Sequence, residues 1–194
     1  MAAAAVGVML FMVLIFVGLG LLIAILYLLN LQNTLKAAAP ENRKMPPANV
    51  WLLLIPLFST YYMFVVAKRM SGTIKAEYAS KGQVPDNPKP TYNVGMAMAI
   101  GSAISMLISL FTIKDSYSST MAIFSASSSG NMEEMMAVQN ASAAGGAALS
   151  VFSSIISLAL FILWIVYWIQ TAGYKNKMKS LPSNNADSQI FNQL

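Results

Sequence analysis

The chain has 194 residues, 57% of them hydrophobic and only 10% charged, with a mean hydropathy of +0.60 and a formal net charge of +5. A soluble domain carries about 25% charged residues, so these side chains cannot cover a water-facing surface, and lipid is the solvent that removes the need. The absence of cysteine and histidine excludes disulfides, thiolate or imidazole metal sites, cysteine nucleophiles and histidine bases.

The pattern predicts an all-α integral membrane helical bundle. Four hydrophobic segments fall at about 6–29, 50–67, 94–113 and 148–169, each near the roughly 20 residues that cross a bilayer as helix. They make up a membrane domain of residues 1–174, followed by a polar cytoplasmic tail, 175–194. The first segment follows Met-Ala-Ala-Ala-Ala, and the first charge is Lys36. Without a basic n-region it reads as a retained anchor, not a cleavable signal. It projects beyond the membrane through Asn30, Gln32 and Asn33. Residues 36–49, with Pro40, Pro46 and Pro47 beside Glu41, Arg43 and Lys44, read as a stiff basic turn.

The second segment carries Trp51 near its start, an indole suited to the membrane boundary. Pro56 removes a backbone donor and bends the helix, with Ser59 and Thr60 at hand for the freed carbonyls. A structural kink is the plainer reading of Trp51 and Pro56; a groove for lipid or a partner is the functional one. Lys68 to Ser80 continue as helix, and Met70, Ile74 and Tyr78 fall on one face that suits the headgroup layer. Pro85, Pro88 and Pro90 end it. On the third segment Gly95, Ala99 and Ala103 repeat every fourth residue, and Ala97, Gly101 and Ser105 form a second row. Small residues let helices approach closely in lipid. Packing within the chain is the plainer reading, a partner interface the functional one. Gly18 and Gly20 offer the same on the first segment. Residues 116–147, rich in Ser, Ala, Gly and Met, read as a flexible or weakly helical loop. The fourth segment ends in Trp164, Tyr167 and Trp168, an aromatic belt followed by Lys175, Lys177 and Lys179.

Two topologies compete. Four crossings with the N-terminus inside put eight of the 12 Lys and Arg residues in the cytoplasm and four outside. A second segment that dips in and returns leaves only Lys114 outside, which obeys the positive-inside rule better. Segment length favours the first. A re-entrant backbone needs protein cover, which weighs against the second. Both place residues 68–92 and the C-terminus in the cytoplasm.

The seven acidic residues all lie in loops or at segment ends, whereas ion-coupled transporters and proton relays place such groups in the apolar region. Glu133 and Glu134 are adjacent and point about 100° apart on a helix, a poor geometry for paired acid–base work. No G-x-S-x-G or S-x-x-K surrounds the serines. Met121, Met132, Met135 and Met136, and Met96, Met98 and Met106, offer thioethers that suit Cu(I). Without Cys or His, packing is the plainer reading. No cofactor or metal site is expected.

Several stretches carry a resemblance: P-E-N-R-K-M-P-P at 40–47, V-W-L-L-L-I-P-L-F at 50–58, K-A-E-Y at 75–78, Y-N-x-G at 92–95, Y-W at 167–168 and Y-K-N-K at 174–177. In order and spacing they resemble a family of small, largely uncharacterised bacterial polytopic membrane proteins. The resemblance implies a multi-pass protein of the bacterial inner membrane and no particular activity. The leading expectation is a non-enzymatic accessory or structural subunit of a larger membrane complex, touching lipid and a membrane protein partner or second copy, and no nucleic acid. The alternative is an oligomeric channel or small transporter built around the third segment. An enzyme acting on lipid is a third reading, weak for want of a base or metal ligands.

Overall fold

The computed structural model describes residues 2–130 and 132–182. Among the described residues there are helices and no strand: α1 (Ala2–Ala37), a short 3₁₀ turn (Pro40–Asn42), a longer 3₁₀ helix (Pro47–Leu54), α2 (Phe58–Ser80), α3 (Tyr92–Ser129) and α4 (Met132–Ser180). Three stretches are long and apolar enough to cross a membrane, Leu10–Ala37, Tyr92–Leu110 and Ser150–Ser180. They correspond to the first, third and fourth hydrophobic segments.

The second hydrophobic segment is not one helix. Residues 47–54 run as 3₁₀ helix and the chain reverses at Pro56. Phe58 N–H donates to Pro56 C=O at 2.7 Å, and Leu57 between them has φ 63° and ψ −49°. This is a γ-turn of the strained hand. Proline supplies the reason: it cannot donate to the ladder, and its ring opposes a continuing helix. Where a kink was expected, the chain turns back on itself. α2 then returns alongside, and both arms of the excursion end together, with Ala39 N–H donating to Glu77 Oε2 at 2.8 Å.

Among the described residues the expected loop at 116–147 is helical apart from the turn at Gly130. α3 continues to Ser129 and α4 begins at Met132, around Gly130 with φ 70°. Only glycine enters that left-handed region without a Cβ penalty. The serines do not break these helices because their hydroxyls turn back on the preceding turn. Ser125 donates to Ala122 C=O and Ser128 to Ser125 C=O, both at 2.8 Å. Likewise, α4 runs through residue 175 to Ser180 without a break at the expected domain boundary. Residues 183–194 of the expected tail lie outside the described residues.

α3 packs antiparallel on α4, α2 on α3, and α1 on α4; the longer 3₁₀ helix lies against α1 and α2. The contacts of Tyr27 with Trp164 and of Asn30 with Thr171 advance together along both chains, so α1 and α4 run parallel. One core results, at the end where α1 and α4 finish and α3 begins. It holds Leu28, Leu31 and Leu35 of α1, Val66, Met70 and Ile74 of α2, Met98 of α3, and Tyr167 and Met178 of α4. Met70, Ile74 and Tyr78, expected to lie along headgroups, are buried here. Their shared face is used up by the other helices.

Candidate functional site

Most of the stretches behind the resemblance, scattered from residue 40 to residue 177, meet at this packed end, while the 50–58 stretch runs from Val50 in the core out to the exposed turn. Glu77 of the K-A-E-Y stretch is the centre of one cluster. It is buried, and its carboxylate accepts from Ala39 N–H and from Asn42 Nδ2, both at 2.8 Å. Lys81, one turn on, lies 3.2 Å away. Burial pushes the carboxyl up, but the hydrogen bonds from Asn42, Ala39 and Lys81 outweigh it and hold it below its ordinary value. A carboxylate with its lone pairs so engaged is a structural tie, and the foot of the excursion is fixed by it. Asn42 also reaches Ser80 Oγ at 2.8 Å, and Thr73 Oγ1 accepts from Lys44 N–H at 2.9 Å.

A second cluster joins α1 to α4. Asn30 Nδ2 donates to Thr171 Oγ1 at 2.8 Å. Thr34 Oγ1 donates to Asn30 C=O at 2.8 Å and lies 3.2 Å from Thr171 C=O. All three residues are buried. Below them, Tyr27, Trp164 and Trp168 pack as a tilted and edge-on trio with centroids 5.0–5.7 Å apart. Asn30, which the sequence marks only as a polar residue near the end of the first segment, bridges α1 to α4 here. The hydroxyls of Thr91 and Tyr167 are buried and neither makes a well-formed hydrogen bond.

The small-residue positions are occupied from within the chain. A Cβ on Gly95 would sit 2.7 Å from Tyr167 Cε2 and 2.8 Å from Ala67 Cβ, so three helices touch at that hydrogen. Ala99, one turn on, is fully buried, and Ala103 is half-buried. From the second row, Gly101 faces Leu160, whose Cδ2 would be 2.6 Å from an added Cβ. Around Gly18 and Gly20, by contrast, nothing lies within 4 Å of an added Cβ. Trp51 is half-buried on the 3₁₀ helix, its indole N–H donating to Gln32 Oε1 at 3.3 Å. Pro56 lies exposed at the turn.

Cations crowd the packed end. Lys36 closes α1 and Arg43 and Lys44 follow it, Lys68, Arg69 and Lys75 stand on α2, Lys81 and Lys89 lie before α3, and Lys175, Lys177 and Lys179 close α4. Lys177 pairs with Asp86, and Arg43 donates to Ala38 and Lys36 carbonyls. Lys44, Lys68 and Arg69, with Val65 and Gly72, line a cleft of about 390 Å³. Lys114 alone sits on α3 beyond the far end of its apolar span. Among the described residues no group of three or more Asp, Glu, His or Cys side chains is placed to hold a metal. No family model, curated protein or solved structure matches this chain.

Proposed function

We propose that this chain is a non-enzymatic accessory subunit of a larger complex in the bacterial inner membrane, with its N-terminus outside and its C-terminus in the cytoplasm. The observation that carries the reading is α1. Every side chain described from residue 10 to residue 23 is exposed, on all faces, while the next three turns are built into the core. A helix half that its own chain leaves bare offers a full circumference to another membrane protein or a second copy. Gly18 and Gly20 on that half permit close approach. The row at Gly95 and Ala99 is already filled by α2 and α4, which favours this reading over an oligomeric channel around α3. The resemblance of the 40–47, 50–58 and 174–177 stretches to bacterial membrane proteins supports the compartment.

The topology proposed with it is three crossings and a re-entrant excursion. Leu54, Ile55, Leu57, Phe58 and Tyr61 around the turn are all exposed, an apolar tip that is unfavourable in water and favourable in lipid. The arm leading to that tip is supported from within the chain, since the 3₁₀ helix packs on α1 and α2, as a re-entrant segment requires. Every Lys and Arg except Lys114 is then cytoplasmic. Reporters fused at each terminus read the topology: N-terminus inside rejects it. Photocrosslinkers at Val13 and Phe16, in native membrane, read the role. Adducts to one discrete membrane protein or to a second copy are expected, and lipid adducts alone reject it. Solute flux through proteoliposomes of the pure chain would favour the channel.

A further inference from the structure

We infer that the cleft between Lys44 and the Lys68–Arg69 turn of α2 binds the phosphate of an anionic phospholipid headgroup. The inference rests on the membrane reading but not on the accessory role. Lys44 is brought there by backbone: its N–H is tied to Thr73 Oγ1 at 2.9 Å, and Thr73 Oγ1 donates in turn to Arg69 C=O at 2.9 Å. The Lys44 stem then crosses α2 at Gly72, where an added Cβ would lie 3.3 Å from Lys44 Cγ. Lys44 thus lines one cleft with Lys68 and Arg69 of the preceding turn. Lys44, Lys68 and Arg69 are exposed, and no described carboxylate lies within ion-pair distance of any of them. Glu77, the nearest acid along α2, is committed to Ala39, Asn42 and Lys81. Three like charges around one cleft repel unless an anion sits between them.

Depth and shape point to lipid as the source of that anion. Ala67 rests against Gly95 near Tyr167, within the Trp164–Trp168 belt, so Lys68 and Arg69 begin at the level where aromatic belts meet headgroups. Tyr61, Val65, Lys68 and Gly72 fall on one face of α2. Val65 lines the cleft, and Tyr61, one turn deeper, is exposed, which gives an apolar track for an acyl chain directly below the cations. A free phosphate would use only the upper half of this arrangement.

Native mass spectrometry of the detergent-purified full chain tests it, with phosphatidylglycerol and phosphatidylcholine offered together. Phosphatidylglycerol is expected to be retained about tenfold over phosphatidylcholine, as three charge-assisted contacts allow. Lys44→Gln/Lys68→Gln/Arg69→Gln is expected to lose that preference. Lys89→Gln/Lys175→Gln/Lys179→Gln, with the same change in charge elsewhere on this end, is expected to keep it. Equal loss in both variants, or retention in the first, overturns the site. Displacement of phosphatidylglycerol by millimolar inorganic phosphate overturns the lipid assignment in favour of the free anion. The unfolding temperature of each variant is measured alongside, and Lys68→Gln/Arg69→Gln replaces the triple variant if that one does not fold.

Discussion

The two halves of α1 face different worlds. Leu31, Thr34 and Leu35 are wholly enclosed, whereas Leu14 and Phe16 are 69% and 71% exposed. Composition does not explain the difference, since the bare half is the more apolar. The enclosed half is enclosed because it carries polar hooks, Asn30 and Thr34, that find Thr171, and because the 3₁₀ helix and α2 lie at its level. In lipid, apolar side chains gain little from meeting one another, and packing, hydrogen bonds and small-residue contacts decide which helices associate. The packed end has all three. The bare half has only leucine, isoleucine, valine, phenylalanine and one methionine, Met12, around two glycines.

That contrast can be broken most severely at Glu77. Glu77→Ala leaves the Ala39 N–H and Asn42 amide without their acceptor, and a loss of about 3 kcal/mol is expected in detergent unfolding. Gly95→Leu forces α2 and α4 away from α3, at a cost of about 2 kcal/mol or more, with the same readout. Acid sharpens the case for Glu77. Its folded carboxyl lies below its ordinary value of 4.5, so its contribution is whole above that value and disappears as pH falls through the lower one. Unfolding temperature is expected to hold steady above about pH 4.5 and decline below it, and Glu77→Gln is expected to flatten that decline.

Smaller effects separate the halves. Asn30→Ala is expected to cost about 1 kcal/mol through the lost bridge to Thr171, measured in the same unfolding assay. Phe16→Ala on the bare half is expected to change the isolated chain by less than about 0.5 kcal/mol while reducing crosslinking in native membrane. Leu57→Gly relieves the γ-turn and is expected to raise stability by about 1 kcal/mol. An unchanged value there would mean that the tip is not strained.

Much of this was legible from the chain alone. Three of the four expected hydrophobic segments are helices long and apolar enough to cross a membrane, and the small-residue steps at Gly95 and Gly101 are close-packed, because helix period and apolar length are properties of neighbouring residues. The break at Pro56 was legible as a break. Its size was not, since whether a proline bends a helix or reverses it depends on what lies alongside, here α1 and the returning α2. The Ser and Met stretch misled because low-complexity composition resembles a loop, whereas hydroxyls returned to their own helix make it a helical hairpin.

What the sequence by itself determined is an apolar, all-helical chain suited to lipid, the approximate places of three long apolar helices, and the stretches of the chain that carry charge. Only the tertiary structure decided which residues meet at the packed end. Glu77 with Ala39 and Asn42, Asn30 with Thr171, and Lys44 with Lys68 and Arg69 lie from 24 to 141 positions apart. No period in a sequence encodes a pairing at such separation; it is set by which helix faces remain once every backbone group and every close approach has been satisfied.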